Sequence, residues 1–223
     1  MAQIEEFLGI PIDKILTSVQ ETVYMVSISL FIGSLLAFVT GIILVFTKKG
    51  GLYENKIIYS VINVVINVIR STPFVVLLIA VMPLTKLIIG TRIGPTAAIV
   101  PLTIYIVPFL SRLIENSLLD TGKGIYEAAK SMGATPLQLI FYFILPEAKG
   151  SLILSVTTGI VGLIGSSAMA GYIGGGGIGS LVLNYGYNRF NFELMYSLVI
   201  FLIIVTQIIQ SIGNNLSVKA RKG

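Results

Sequence analysis

Cysteine and histidine are both missing from this chain of 223 residues. Without cysteine, the chain has no disulfide, no thiolate metal site and no cysteine nucleophile. Without histidine, it also lacks the commonest general base and the commonest metal ligand. Few routes to enzymatic chemistry remain, so we expect a non-catalytic protein with no cofactor of its own.

Charged residues are also scarce, at 11% of the chain, whereas 55% of residues are hydrophobic and the mean hydropathy is +0.93. Soluble domains carry about 25% charged residues. The apolar runs are continuous rather than alternating, which predicts an all-α polytopic membrane protein and disfavours a spanning barrel. The net charge of +5 fits basic loops on one side of a membrane better than nucleic-acid binding, because no basic cluster is interleaved with aromatic residues.

Two nucleotide-binding patterns can be set aside. Gly174, Gly176 and Gly179 satisfy G-x-G-x-x-G, but no preceding strand is apparent and a dinucleotide site requires one. A flexible or closely packed external turn is the better interpretation. The phosphate-loop pattern G-x-x-x-x-G-K-[ST] does not occur. If ATP powers this protein, another subunit must therefore supply the ATPase.

Five apolar segments predict five transmembrane helices within a single domain, residues 1–223. We place these spans at about residues 23–46, 57–89, 93–113, 151–172 and 194–212. Ser29, Gly33, Ala37 and Gly41 recur every four residues in the first span, a small-residue face on which another helix can approach closely. The N-terminal segment lacks the basic flank of a cleaved signal peptide, so we expect it to be retained.

The second span is irregular. Asn63, Asn67 and Arg70 are spaced four and three apart and share one helical face. Pro73 follows, so we predict one long helix bent at the proline. An arginine within a membrane is costly and usually faces protein or water. Arg70 therefore either holds one of the two asparagines or a helix end, or lines a pathway.

Three further features have structural interpretations. Arg112 and Glu115 are spaced for an ion pair within one helix. Met169 lies in a run of small residues, where a flexible core filler is expected. Tyrosines at 172, 185 and 187 suit an outer membrane interface, although a binding protein could also dock there.

Basic residues set the expected orientation. Ten fall on one side of the predicted spans: Lys48, Lys49, Lys56, Arg112, Lys123, Lys130, Lys149, Lys219, Arg221 and Lys222. Four fall on the other: Lys14, Lys86, Arg92 and Arg189. The positive-inside rule then predicts an external N-terminus, a cytoplasmic C-terminus and a cytoplasmic segment between the third and fourth spans.

That segment, about residues 122–148, is polar and well punctuated. Glycines at 122 and 124 separate it from the third span, and residues 125–132 form a short predicted helix. Gly133 suits the left-handed position that ends a helix. Thr135, Pro136 and Gln138 then form a helix start with a reciprocal cap, and Pro146 marks the start of the fourth span. The segment is either an amphipathic loop lying on lipid headgroups or its own bundle, or a rigid docking element for a cytoplasmic protein.

Glu127-Ala128-Ala129, Gly133 and Leu145-Pro146 resemble the EAA loop of ABC importer permeases, in which E-A-A, three residues, G and nine residues precede I-x-L-P. Phe143 stands where isoleucine is usual, a conservative apolar change. Further segments, in the same order as in the methionine importer permeases of the MetI type, are RSTPF (70–74), AAIVPLT (97–103), ENSLL (115–119), MGATP (132–136), LPEA (145–148), SAMAG (167–171) and YGY (185–187). The resemblance covers about residues 20–215.

The resemblance implies a type I ABC importer permease fold and the membrane subunit of an ATP-driven methionine importer in a bacterial plasma membrane. The implied partners are a second copy, two ATPase subunits that hold ATP and Mg²⁺, and an extracytoplasmic binding protein or lipoprotein. The residues implied to couple to the ATPase are Glu127, Ala128, Ala129, Met132, Gly133, Ala134, Leu137 and Pro146. The residues we assign to the translocation pathway are Asn63, Asn67, Arg70 and Met169, the last at a constriction in the permeases that this chain resembles.

Two alternatives stay open from the sequence. The first is the same importer class carrying another amino acid or a small peptide. The second is a stand-alone secondary transporter, but the chain has no acidic residue at the centre of a predicted span, and such carriers often use one for ion coupling. Five spans also fit poorly with two inverted repeats.

Overall fold

A computed structural model describes residues 5, 7–121 and 123–222, and this part of the chain is helical with no strand. The helices are α1 (Ile12–Thr47), α2 (Lys56–Ser71), α3 (Phe74–Ala80), α4 (Met82–Ile89), α5 (Pro95–Leu119), α6 (Lys123–Ser131), α7 (Pro136–Gln138), α8 (Leu145–Ala170), α9 (Gly177–Leu181) and α10 (Phe192–Lys222). Leu139–Ile144 and Val182–Tyr187 are π-helical, and Gly171–Ile173 is a 3₁₀ turn. Gly122, the predicted start of the polar segment, lies outside the described residues.

The predicted membrane architecture is confirmed in outline. Four of the described helical segments are long and apolar enough to cross a bilayer: α1, α5, the continuous run from α7 through α8, and α10. The pair α2 and α3 makes a fifth span if the bent pair is counted as one. Most of these helices extend beyond the apolar segments read from the sequence, because polar residues at their ends continue the same hydrogen-bonded backbone.

The second span is broken rather than gently bent. Its two parts, α2 and α3, meet at 109°, so the expectation of one long helix through Pro73 is wrong. The proline interrupts the backbone ladder, and side chains then complete the broken end. The Thr72 hydroxyl donates to the Val68 carbonyl at 2.8 Å and the Ser71 hydroxyl to the same carbonyl at 3.0 Å. Such local bonds make an interrupted helix tolerable in a membrane.

The small-residue face of α1 packs closely against α5, the most extensive helix pair in the structure. Ser29, Gly33, Ala37 and Gly41 are all buried. The Ser29 hydroxyl donates to the Ile99 carbonyl at 3.4 Å. A β-carbon placed on Gly41 would lie 2.8 Å from Ile114 Cγ2 and 3.3 Å from the Ser111 carbonyl oxygen. The close approach predicted from the four-residue spacing is therefore confirmed.

Helix α8 joins α5 to α10 through small and hydroxyl side chains. The hydroxyl oxygens of Ser117 and Ser155 lie 3.0 Å apart at the α5–α8 contact. A β-carbon on Gly159 would lie 2.7 Å from Leu110 Cδ2. On the other side of α8, the Ser217 hydroxyl of α10 donates to the Gly150 carbonyl at 2.8 Å. These contacts pack α8 between α5 and α10.

The glycine-rich turn is closely packed, as one of its two sequence interpretations predicted. Gly174, Gly176 and Gly177 have φ of +79°, +77° and +74°. Residues with a side chain rarely adopt this backbone conformation, whereas glycine does so readily. The Gly177 amide donates to the Glu21 carboxylate at 2.7 Å, and the Ile178 amide donates to the Thr22 hydroxyl at 2.9 Å. The turn therefore fastens α9 onto α1.

We predict that Gly41→Ala lowers the thermal stability of the purified chain, whereas Gly162→Ala does not. Both glycines lie inside spanning helices, and alanine gains about 1 kcal/mol of helix propensity over glycine at either site. Only Gly41 faces a neighbour closer than normal contact distance, since Gly162 has open space around the added carbon. Overpacking of this kind costs about 1–3 kcal/mol. Thermal unfolding in detergent measures both variants, and an equal Tm for the two would contradict the close α1–α5 seam.

Candidate functional site: a helical hairpin and a set of membrane-embedded polar residues

The segment between α5 and α8 folds into a hairpin with defined corners. Gly133 ends α6 with φ +71°, and the Ala134 amide donates to the Ala129 carbonyl at 3.0 Å. The Thr135 amide then donates to the Gln138 side chain at 2.8 Å, and the Gln138 amide donates to the Thr135 hydroxyl at 3.4 Å. The capping box read from the sequence is therefore present. Because the corner is closed by its own hydrogen bonds, the hairpin has a defined shape without a partner.

The second arm of the hairpin differs from the sequence expectation. Instead of a separate helix that ends before the fourth span, α7 continues through the π-helical residues Leu139–Ile144 directly into α8. Pro146 occupies one of the first two positions of α8, directly after the π-helical residues. The second arm of the hairpin and the fourth span therefore form one continuous helical segment.

One face of the hairpin is exposed and carries large apolar side chains. Met132 is 66% exposed, Leu137 is 67% exposed and Tyr142 is 75% exposed. Ala128, Gly133 and Pro146 are exposed beside them. Phe141 extends the same exposed set. Met132 and Leu137 were among the predicted coupling residues, whereas the sequence analysis did not single out Tyr142.

The opposite face anchors the hairpin to the membrane helices. Ala129, Leu139 and Ile144 are buried and belong to the main hydrophobic core. Ala129 has no exposed surface and Ile140 is only 3% exposed. Of the small residues predicted to allow close approach, Ala129 therefore faces its own chain, and Ala128 and Gly133 remain on the surface. Ala134 is half-buried at the corner.

A cavity of about 300 Å³ lies between the hairpin and the ends of α1 and α5. Its lining includes Glu127, Lys48, Leu118 and Leu139. Glu127 is exposed and lies in the middle of α6, which begins two residues earlier than predicted. The cavity leaves unfilled space beside the first arm of the hairpin.

Within the membrane helices, three polar side chains form a network. Arg112 and Glu115 form the predicted ion pair, with Nη1 and Oε2 2.5 Å apart. Arg112 also donates through Nη2 to the Asn63 side-chain oxygen, which ties α2 to α5. Glu115 is 3% exposed. Asn63 therefore has Arg112 as its partner, rather than the Arg70 that one sequence interpretation gave it.

The other proposed pathway residues are exposed and lie on different helices. Asn67 and Arg70 follow Asn63 on one face of α2, and both are exposed. Met169 is 48% exposed in the last turn of α8, which does not match a buried core filler. The proposed pathway residues therefore come from two separate helices, α2 and α8.

A polar stripe on α10 was missed in the sequence analysis. Gln207, Gln210, Ser211 and Asn214 are all exposed and recur at intervals of three, one and three, which places them on one helical face. Their apolar neighbours hid the pattern, although the spacing alone could have revealed it. Polar groups inside a membrane face protein or water rather than lipid. This side of α10 therefore needs a partner or an aqueous space.

At the opposite end of the bundle, a polar cavity of about 410 Å³ opens beside the glycine-rich turn. Its lining includes Asp13, Lys14, Glu21 and Asn184. Tyr185 accepts a hydrogen bond from Lys14, and this bond lowers the pKa of the phenol. The ring also has Lys14 Nζ at 4.0 Å and Arg189 Cζ at 4.4 Å from its centroid. A cation–π cluster therefore orders this surface.

The family model for the binding-protein-dependent transport system inner membrane component matches residues 29–221. The match includes the hairpin, the α2 and α10 polar faces and Met169.

Curated relatives match almost the whole chain. The chain is 48% identical over 213 residues to the probable D-methionine transport system permease protein MetI of Vibrio cholerae, covering 96% of this chain and 95% of the relative. It is 40% identical over 208 residues to the methionine import system permease protein MetP of Bacillus subtilis, covering 93% and 94%. A crystal structure of the inward-facing MetNI methionine ABC transporter aligns with a TM-score of 0.91 at 36% identity, covering 94% of this chain and 97% of that one.

We predict that Arg112→Gln destabilises the chain more than the double variant Arg112→Gln/Glu115→Gln. The single change leaves the buried Glu115 carboxylate without its cation, and breaking a buried pair from one side costs roughly 3 kcal/mol or more. Neutralising both partners removes that penalty. Thermal unfolding of the wild type, the two single variants and the double variant forms a double-mutant cycle that measures the coupling energy between Arg112 and Glu115. The exposed Asn116→Ala serves as a neutral control. Additive losses in the double variant would show that the pair does not stabilise the fold.

Proposed function

Because the chain belongs to the family of binding-protein-dependent transport system inner membrane components, we propose that it is the membrane-spanning permease subunit of an ATP-driven methionine importer. The names of its relatives support the substrate class, since both the Vibrio and the Bacillus proteins are described as methionine permeases. The observation that carries the proposal is the hairpin of α6 and α7. It presents exposed apolar residues on a rigid corner joined directly to a spanning helix.

The hairpin has the properties of a docking element for an ATPase. Its exposed face combines large apolar side chains with small residues that permit close approach, and its buried face is seated on the core. We assign contact with the ATPase to Glu127, Ala128, Met132, Gly133, Ala134, Leu137 and Pro146. Ala129 has a supporting role there, because it packs inward and sets the position of α6. ATP and Mg²⁺ belong to the ATPase subunits in this proposal.

A second copy of the chain completes the membrane part. Asn67 and Arg70 on α2 and the polar stripe on α10 are exposed in one chain, and leaving such groups in lipid costs several kcal/mol. A homodimer would turn these faces inward around a shared pathway. Met169 and Asn63 complete the pathway assignment, with Asn63 held in place by Arg112.

The transport cycle that we propose is alternating access driven by a remote ligand. An extracytoplasmic binding protein delivers methionine to the polar surface around Lys14, Glu21 and Tyr185. ATP binding closes the two ATPases, which displaces both hairpins and opens the helices outward. Hydrolysis resets them. In this arrangement the N-terminus is external and the C-terminus is cytoplasmic, in the plasma membrane of a bacterium.

We predict that Gly133→Asn abolishes co-purification with the ATPase encoded beside this chain, whereas Gly90→Asn preserves it. Both glycines are exposed, have positive φ and leave an added β-carbon in open space. Asparagine tolerates this backbone region, so both variants should fold. Only Gly133 lies on the exposed face of the hairpin.

A pull-down from mild detergent measures this difference, and gel filtration of each variant confirms folding. An ATPase that stays bound to Gly133→Asn, or that is lost equally from Gly90→Asn, would contradict the docking role of the hairpin.

We also predict uptake of labelled methionine by proteoliposomes that contain this chain, its ATPase and its binding protein, in the presence of ATP. Unlabelled methionine should compete, and the Gly133→Asn variant should show less than a tenth of the wild-type rate because coupling is lost. Competition by a different amino acid or a peptide, without competition by methionine, would reassign the substrate within the same importer class. Uptake by the chain alone, driven by an ion gradient, would overturn the importer assignment.

A further inference from the structure

An apolar groove runs along the membrane between α8 and α10. Near the end of the bundle that carries the hairpin it forms a cavity of about 440 Å³. Leu152, Val156 and Ile160 line it from α8, and Ile209, Ile212 and Leu216 line it from α10. Gly213 and Thr157 hold the two helices together at its floor. Its lining is almost wholly hydrocarbon, as expected for a site that accepts an acyl chain.

A second cavity continues the groove through the middle of the membrane and towards the glycine-rich turn. This apolar cavity, of about 310 Å³, shares Ile160 and Ile209 with the first and extends to Ile164 and to Val23 on α1. Within the first cavity, Leu152 and Ile160 are eight residue steps apart on α8, or roughly 12 Å at 1.5 Å per residue. One leaflet of the hydrocarbon core is about 15 Å thick, half of about 30 Å. The length therefore suits one lipid chain in one leaflet.

The amphipathic character of α10 indicates that this side faces lipid. Ile209, Ile212 and Leu216 lie on the opposite side of the helix from Gln207, Gln210 and Asn214, as their spacing at 100° per residue requires. The polar side is the one that needs protein or water. The apolar side of α10, which lines the groove, therefore faces the lipid bilayer.

Two lysines stand at the mouth of the groove. Lys149 lies three and four residues before Leu152 and Ile153 on α8, and Lys219 lies three residues after Leu216 on α10. Each therefore continues a groove-lining face by one helical turn, and both are exposed. The bond from the Ser217 hydroxyl to the Gly150 carbonyl, at 2.8 Å, fixes the two helix ends beside each other.

A third basic residue, Arg221 of α10, contacts α8 next to the mouth of the groove. Arg221 covers Gly150, and its Nη2 donates to the Ser151 hydroxyl at 3.4 Å. The end of the groove that is nearest the hairpin therefore carries Lys149, Lys219 and Arg221, whereas its walls are apolar. Basic residues between membrane helices on the cytoplasmic side recognise anionic lipid headgroups.

We propose that the groove between α8 and α10 binds an anionic phospholipid of the cytoplasmic leaflet. One acyl chain lies along Leu152, Val156, Ile212 and Leu216, and the phosphate lies between Lys149 and Lys219. The inference rests on the membrane orientation in the proposed function for its choice of leaflet. It assigns the lipid a structural place beside α8, the helix that is continuous with the hairpin.

Titration of the full purified chain with phosphatidylglycerol, followed by native mass spectrometry, tests the site. Phosphatidylcholine with the same acyl chains serves as the zwitterionic comparison. We expect tighter binding of phosphatidylglycerol to the wild type. The variant Lys149→Gln/Lys219→Gln should lose about fivefold in affinity for each lysine, since one basic residue near an anionic surface contributes about 1 kcal/mol.

The matched control is Lys49→Gln/Lys56→Gln, which removes the same charge from exposed residues at the same end of the bundle but away from the groove. It should bind as the wild type does. If the two double variants lost affinity for phosphatidylglycerol equally, the overall charge of the chain would explain the loss, and the proposal would be overturned. Equal binding of the two lipids by the wild type would also overturn it.

Filling the groove tests the acyl-chain part. Val156→Trp should weaken both lipids, whereas Val39→Trp, on an exposed part of α1, should not. The cysteine-free chain also allows Val156→Cys as a single cross-linking site, and efficient formation of a disulfide dimer would assign the groove to a second copy instead. None of these readouts uses ATPase or methionine, so a failed lipid site and a failed importer assignment give different results.

Discussion

Everything else in the structure depends on the close contact between α1 and α5. In a bilayer there is no hydrophobic driving force between helices, so association relies on close van der Waals packing. The small-residue face of α1 provides that contact by bringing its backbone against Ile114 and the Ser111 carbonyl. α5 then contacts α2, α4 and α8 on its other sides. The first half of the broken second span packs against both members of this pair.

Polar side chains divide the membrane region into two kinds of surface. Arg112 and Glu115 are paired within the chain and bind α2 through Asn63. Asn67, Arg70 and the polar stripe of α10 are exposed, which a single chain in lipid would accommodate poorly. Paired residues therefore stabilise the subunit, and exposed residues indicate where the assembled protein encloses water or another chain. The apolar groove lies on neither surface, which agrees with a lipid as its occupant.

The continuity of α7 and α8 gives the proposed coupling a physical route. A rigid corner at Gly133 and Thr135 is joined through π-helical residues to α8, whose last turn carries Met169. The cavity lined by Glu127 leaves unfilled space beside the first arm. Displacement of the hairpin can thus be transmitted along one helix rather than through a flexible linker. A lipid held beside that helix would sit against the moving element.

The sequence by itself determined the features that depend on local chemistry. Apolar runs predicted the spans, the four-residue spacing predicted the α1 face, and Gly133, Thr135 and Gln138 predicted the corner, because helix ends and caps are set by residues within one turn. Only the tertiary structure decided that α2 and α3 meet at 109°, that Ala129 faces inward and Met169 outward, and that Arg112 binds Asn63. These outcomes depend on which helices lie beside one another, and residues 49 positions apart carry no local signal of that contact.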